Sequence, residues 1–212
     1  MNVAIWWIRR DLRLSDNQAL ATALQHAGAV VPVFVLDPTL LDGEDVGPTR
    51  VAFLLGGLRC LDADLRARGG RLILRRGEPR RALMQIVAEA GAGVIFAEED
   101  YTPYSHVRDA SVAEALPLQL CAGLTVHPPE AVRKADAAPY TVFTPYARVW
   151  RARPAPTAAD LIPAPERVET PAGLESLPVP DAPALPARTP FPPGEAEARR
   201  RLSAFTAGES AP

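Results

Sequence analysis

The chain has 212 residues, 48% of them hydrophobic, and a formal net charge of −2. That suffices for one α/β domain of ordinary size with a segment to spare. No run approaches the ~18 apolar residues of a membrane span, and the acidic balance argues against a nucleic-acid groove carried by this chain alone.

"NVAIWWI" opens the chain as a continuous apolar run of buried-strand length, without the basic start of a secretory signal. "NQALATALQHAG" follows with helical spacing, Asp16 or Asn17 as its cap and Gly28 as its stop. Ala29–Asp37, rich in Val, is a second strand. Val51, Leu54, Leu58, Leu61 and Leu65 recur at steps of three and four and predict a helix from Thr49 to Arg68, ended by Gly69–Gly70. "RLILRR" is a third strand, and "PRRALMQIVAEAG" a third helix with Pro79 in its first turn. "GVIFA" is a fourth strand, a helix is expected over Tyr104 to Ala115, and "LQLCAGLTVHP" contains a fifth strand. Repeated strand–helix units of this length predict a Rossmann-like, doubly wound α/β fold with a mainly parallel five-stranded sheet.

The composition changes after Trp150. Twelve of the 23 prolines lie between Pro154 and Pro193, which excludes regular helix or central strand there. Helical spacing resumes only in "GEAEARRRLSAF". The expected organisation is an α/β domain over 1–153, a Pro-rich linker over 154–194 and a short terminal helix in 195–212, read as the start of a further, absent domain.

Ligands of parallel sheets bind beyond the carboxyl ends of the strands, near the reversal of strand order. Four loops qualify: Arg9–Asp16, Asp37–Gly47, Gly77–Glu78 and Glu98–Pro103. None holds a G-x-G-x-x-G or Walker signature. "RRDLRLSDN" reads in two ways, as a self-satisfied network of Arg9, Arg10 and Arg13 with Asp11 and Asp16 or as a ligand loop. "EEDYTPY" likewise offers Asp100 or Thr102 as a helix cap or Asp100 as an acceptor beside Tyr101 or Tyr104. No Ser-His-Asp set, Cys-His pair or metal cluster is evident. His26, His106 and His127 are scattered, and Cys60 and Cys121 fit no metal or disulfide spacing and are expected as small core residues of a cytoplasmic protein.

Three stretches, taken in order, resemble a known family. "WWIRRDLRLSDN", "YTVFTPYARVW" and "PPGEAEARRRLSAF" are similar to successive signatures of the DNA photolyase and cryptochrome family. The resemblance implies an antenna domain here and, in the family's C-terminal helical domain, FAD and the light-driven repair of pyrimidine dimers on a flipped base. The expected function is therefore the light-harvesting part of a deoxyribodipyrimidine photo-lyase, a DNA repair lyase, inactive in repair without the FAD domain. The alternatives are the corresponding part of a cryptochrome-type blue-light photoreceptor and a free-standing nucleotide-binding module. The implied partners are the antenna chromophore and the helical FAD domain, with DNA reached only through that domain and no membrane.

The resemblance also implies a pocket. Asp100 and Tyr104 of "DYTPY" match deazaflavin-binding relatives, although Thr102 stands where they have glutamate. Arg50 in "PTRVAFLLG", Arg10 and Asp37–Pro38 match further pocket positions. Tyr104 and Ser105 stand where folate-binding relatives carry Asn-Glu. The implied antenna is 8-hydroxy-5-deazaflavin, with folate or flavin as alternatives and FAD confined to the absent domain.

Overall fold

A computed structural model of the chain describes residues 2–43, 46–183 and 191–208. Five strands, β1 (Val3–Ile8), β2 (Ala29–Leu36), β3 (Ile73–Arg76), β4 (Val94–Glu98) and β5 (Leu118–Cys121), form one sheet in the order β3-β2-β1-β4-β5. Every neighbouring pair is parallel. Each return between parallel neighbours needs a crossover, and helices α1 (Gln18–His26), α3 (Pro48–Arg66), α4 (Pro79–Ala90) and α5 (Pro103–Ala113) supply it. Chain order reverses at β1, with β2 on one side and β4 on the other.

Alternation along the central strand divides the core. Ala4, Trp6 and Ile8 pack with Leu20 of α1 and with Leu55, Leu58, Leu61 and Leu65 of α3. Val3, Ile5 and Trp7 face the opposite layer, with Leu83 and Ile86 of α4 and Val112 of α5. Both faces are thus covered, which is why β1 and β2 read as unbroken apolar runs.

Local chemistry sets the ends of these helices. The Asn17 side chain accepts from the Leu20 N–H at the start of α1. Of the two caps considered for that helix it is therefore Asn17 that acts. Asp16 instead takes a left-handed backbone, φ 50°, and donates its N–H to Ile162 O at 2.6 Å. Ala27, one residue before the expected glycine stop, closes α1 by donating to Ala23 O. Two helices had no clear sequence signal: α2 (Pro38–Leu41), capped by Asp37, and α6 (Phe143–Arg151).

Apart from a 3-10 turn at Ala158–Asp160, the described residues of the Pro-rich segment are extended, and the segment also enters the core. Val168 is fully buried, Leu174 is buried, and the Val168 N–H donates to Arg68 O at 2.9 Å. Val30 donates to Glu169 O at 2.8 Å, and Leu177 to Leu74 O at 2.9 Å beside β3. Helix α7 (Glu195–Thr206) follows. The linker portion over 184–190 and the last four residues of the 195–212 segment lie outside the described residues. Cys60 and Cys121 are free thiols, half-buried rather than core residues. Among the described residues no helix is long and apolar enough to cross a membrane.

Candidate functional site

The carboxyl ends of β1, β2 and β4 open onto a cavity of about 480 Å3 at the reversal of strand order. Arg10 lies just beyond β1, Asp37 directly after β2, and Asp100 just beyond β4. With Arg50 from α3 and Tyr104 from α5, five of the six residues expected at a pocket line this one cavity. Pro38 does not; it occupies the first turn of α2, where its fixed φ suits a helix start.

The lining has two characters. Leu40 and Leu41 of α2, Val51 and Leu54 of α3, and Phe34 of β2 form the apolar wall. The opposite wall is polar and mutually bonded. The Tyr104 hydroxyl donates to Asp37 Oδ2, while the Thr39 N–H donates to Asp37 Oδ1 at 3.0 Å. Burial, and next the hydrogen bond to the Asp37 carboxylate, push the Tyr104 phenol up to about 12.

Asp100 is 6% exposed. Burial alone would raise its pKa, but hydrogen bonds from Ser105 and the Thr102 N–H, with Arg10 and Arg108 nearby, outweigh burial and hold the carboxyl below its ordinary value. Arg10 Nη1 stands 3.4 Å from Asp100 Oδ1. The Thr102 hydroxyl accepts from the Ser105 N–H and caps α5. The cap reading of "EEDYTPY" therefore holds, with Thr102 as the cap, and Asp100 lies in the cavity wall. Arg50, exposed at the rim, pairs with no carboxylate among the described residues.

The arginine-rich loop divides its loyalties. Arg13 pairs locally, with Asp11 at 3.1 Å and Asp16 at 3.5 Å, as a self-satisfied loop would. Arg9 and Arg10 leave the loop. Arg9 Nη1 meets both oxygens of Asp109 at 2.6 Å, and Arg108 Nε reaches Asp109 Oδ1 at 2.9 Å. Both guanidiniums also lie over the Trp7 ring, 4.9 and 5.0 Å from its centroid. Burial lowers the pKa of Arg9, and Asp109 opposes that shift.

Sequence reading missed Trp7, Arg9 and Arg108 as parts of this wall. Tyr104 and Arg108 are four residues apart on α5 and so share a face, a spacing from which Arg108 could have been found. Arg9 Nη2 and Arg108 Nη2 are buried without a hydrogen-bond acceptor among the described residues. The cavity thus joins an apolar flank to a polar, cation-rich flank. Its size falls within the range of small-molecule sites, roughly 300–1,000 Å3. Such a space suits a planar aromatic molecule with polar groups along one edge. No cluster of metal-binding side chains is present among the described residues.

Comparisons with known proteins agree with this fold. The family model for DNA photolyase matches residues 4–167. An uncharacterised 31.6 kDa protein from Synechococcus sp. PCC 6716 is 38% identical over 95% of this chain and 74% of its own length. The crystal structure of a bacterial class III photolyase from Agrobacterium tumefaciens superposes with a TM-score of 0.85 at 27% identity, covering 97% of this chain and 45% of that one. An archaeal photolyase from Sulfolobus tokodaii, described with two FAD molecules and a novel light-harvesting cofactor, matches with a TM-score of 0.56 at 28% identity, over 79% of this chain and 37% of that one. The chain therefore spans less than half the length of either photolyase structure.

Proposed function

The chain belongs to the DNA photolyase family, and from that premise we propose that its cavity holds a planar light-harvesting chromophore, of the 8-hydroxy-5-deazaflavin class in preference to folate or flavin. The observation that carries this reading is the convergence of Arg10, Asp37, Arg50, Asp100 and Tyr104 on one apolar-backed cavity. When bound, such a molecule absorbs light and passes the excitation onward. The protein's part is to hold it rigidly and keep water away.

Each wall has a distinct task. Leu40, Leu41, Val51 and Leu54 cover the ring faces. Asp100, kept ionised by its donors, accepts from ring N–H or O–H groups, and Arg50 closes the exposed rim. Ser105, at a position where folate-binding relatives offer a carboxylate, has its hydroxyl engaged with Thr102 at 2.7 Å, which favours the deazaflavin over the folate. The corresponding partner is a helical FAD domain, and DNA is contacted through that domain.

The test is a titration of the purified chain with deazaflavin, folate and flavin in turn, read by fluorescence anisotropy. Deazaflavin is expected to bind at micromolar concentration or tighter. Asp100→Ala removes one charge-assisted acceptor and should weaken binding about tenfold. Binding of flavin alone would replace the chromophore class, and failure of all three would end the antenna reading.

A further inference from the structure

On the other side of Arg10 from the chromophore cavity lies a void of about 10 Å3, at most the room of one water molecule. Asp11, Glu98, Asp100 and Asn17 line it together with Arg9 and Arg10. Two carboxylates meet here from different elements: Asp11 from the loop after β1 and Glu98 from the end of β4. Glu98 is 7% exposed, and the side chain of Asp11 is 15% exposed.

The hydrogen bonding of this pair is incomplete on both sides. Glu98 Oε1 accepts from the Gln18 N–H at 3.1 Å, but Glu98 Oε2 and Asp11 Oδ2 are buried without a donor among the described residues. Arg13 Nε stands 3.1 Å from Asp11 Oδ2 without the alignment of a hydrogen bond. The other cations are committed, Arg9 to Asp109 and Arg10 to Asp100. A third acid, Glu195 from the start of α7, adds its charge nearby, although the Leu14 and Ser15 N–H groups, the Ser15 hydroxyl and Arg199 satisfy it. Among the described residues Arg13 is therefore the one guanidinium facing Asp11 that is not bound to an acid outside the loop. It is shared with Asp16, so the cluster carries surplus negative charge.

A single proton removes the surplus and supplies the missing donor. We propose that Asp11 carries a proton that it donates to Glu98, and that this proton couples the cavity wall to the docking of α7. The coupling follows from the loop's anchorage. Arg10, one residue before Asp11, forms the cavity wall, while Leu14 and Ser15 bind Glu195 of α7. Loss of the proton sets a second carboxylate against Glu98 and Glu195. The loop is pushed off the end of β4, and both anchorages loosen together. The device is independent of what the cavity binds.

The energetic direction agrees. Burial, opposed by Arg13 and reinforced by Glu98 and Glu195, pushes the Asp11 carboxyl up to about 7. The test is a carbon-13 NMR titration of side-chain carboxyls in the full chain, with amide exchange at Leu14 and Ser15. Asp11 should titrate near neutrality, and exchange at both amides, corrected for base catalysis, should rise about tenfold across that step. Asp11→Asn, neutral at every pH, should keep the amides protected and abolish the step. Glu98→Gln removes the neighbouring charge but not the burial, so it should move the Asp11 titration and the exchange step to lower pH, and it decides the matter if the Asp11 variant does not fold. An Asp11 that ionises in acid, an exchange step that persists in Asp11→Asn, or one that stays at the same pH in Glu98→Gln overturns the proposal.

Discussion

Asp109 shows how one side chain can matter far more than its neighbours. It neutralises two buried guanidiniums, Arg9 and Arg108, whose side chains are 6% and 8% exposed. Removing it leaves two desolvated cations over Trp7 without the carboxylate that pairs with both. Breaking a buried pair in this way costs about 3–5 kcal/mol, so Asp109→Ala should lower stability by that amount in urea denaturation. The comparison is the Arg76–Asp42 pair at 2.6 Å, whose side chains are 47% and 52% exposed. Solvent screens it, and Asp42→Ala should cost ~0–1 kcal/mol. Equal losses would refute the distinction. The loops that hold Arg10, Asp37 and Asp100 were legible in the sequence because a parallel sheet dictates where ligands approach, while the choice of these residues within them rested on the family resemblance. The Arg9–Asp109 pair was not, because 100 residues separate its members and "RRD" supplies a nearer, wrong partner for Arg9.

Elements differ in how openly they declare themselves. Strands β1, β2 and β4 were readable because both sheet faces are covered and their buried runs are continuous, whereas the edge strands β3 and β5 are partly exposed and showed only as short apolar stretches between helices. Helix α2 is too short for a periodic signal, and nothing in α6 is buried. The "LLGG" of α3 carried no functional reading, yet it marks a crossing. A Cβ at Gly56 would stand 2.6 Å from the Pro193 ring, and one at Gly57 would stand 2.8 Å from Leu12 Cδ1. Replacing a helical glycine by alanine gains about 1 kcal/mol of propensity, so the neighbour decides the outcome. Leu12 can swing its terminal methyl aside, and Gly57→Ala should raise the denaturation midpoint. Pro193 is rigid and leads directly into α7. Gly56→Ala should leave global stability within about 1 kcal/mol while proteolysis of the linker accelerates. Unchanged proteolysis would show that Pro193 yields freely.

Whole-molecule stability should bear the mark of the acid cluster. Asp11 is raised, so between its ordinary value of 3.8 and about 7 the folded chain holds a proton that the unfolded chain has released. Unfolding then becomes easier as pH rises through that window. Asp100 and Glu195 are lowered; their contribution is present above the ordinary values, 3.8 and 4.5, and is lost on further acidification. These three groups together place the maximum between about pH 4 and 5 rather than at neutrality. Thermal midpoints should fall from that maximum towards pH 7, and Asp11→Asn should flatten the fall. A rising midpoint over the same range would contradict it.

The Pro-rich segment that enters the core of the α/β unit has a kinetic corollary. Its amide and carbonyl groups close onto Val30 and Arg68 only after some hundred intervening residues have been synthesised. Contacts of such long sequence separation form slowly, since the loop must be closed before they repay it. Val168 and Leu174 should therefore be among the last side chains to leave water. Until they do, a nascent chain exposes a strip of its own interior to whatever else is present on the ribosome.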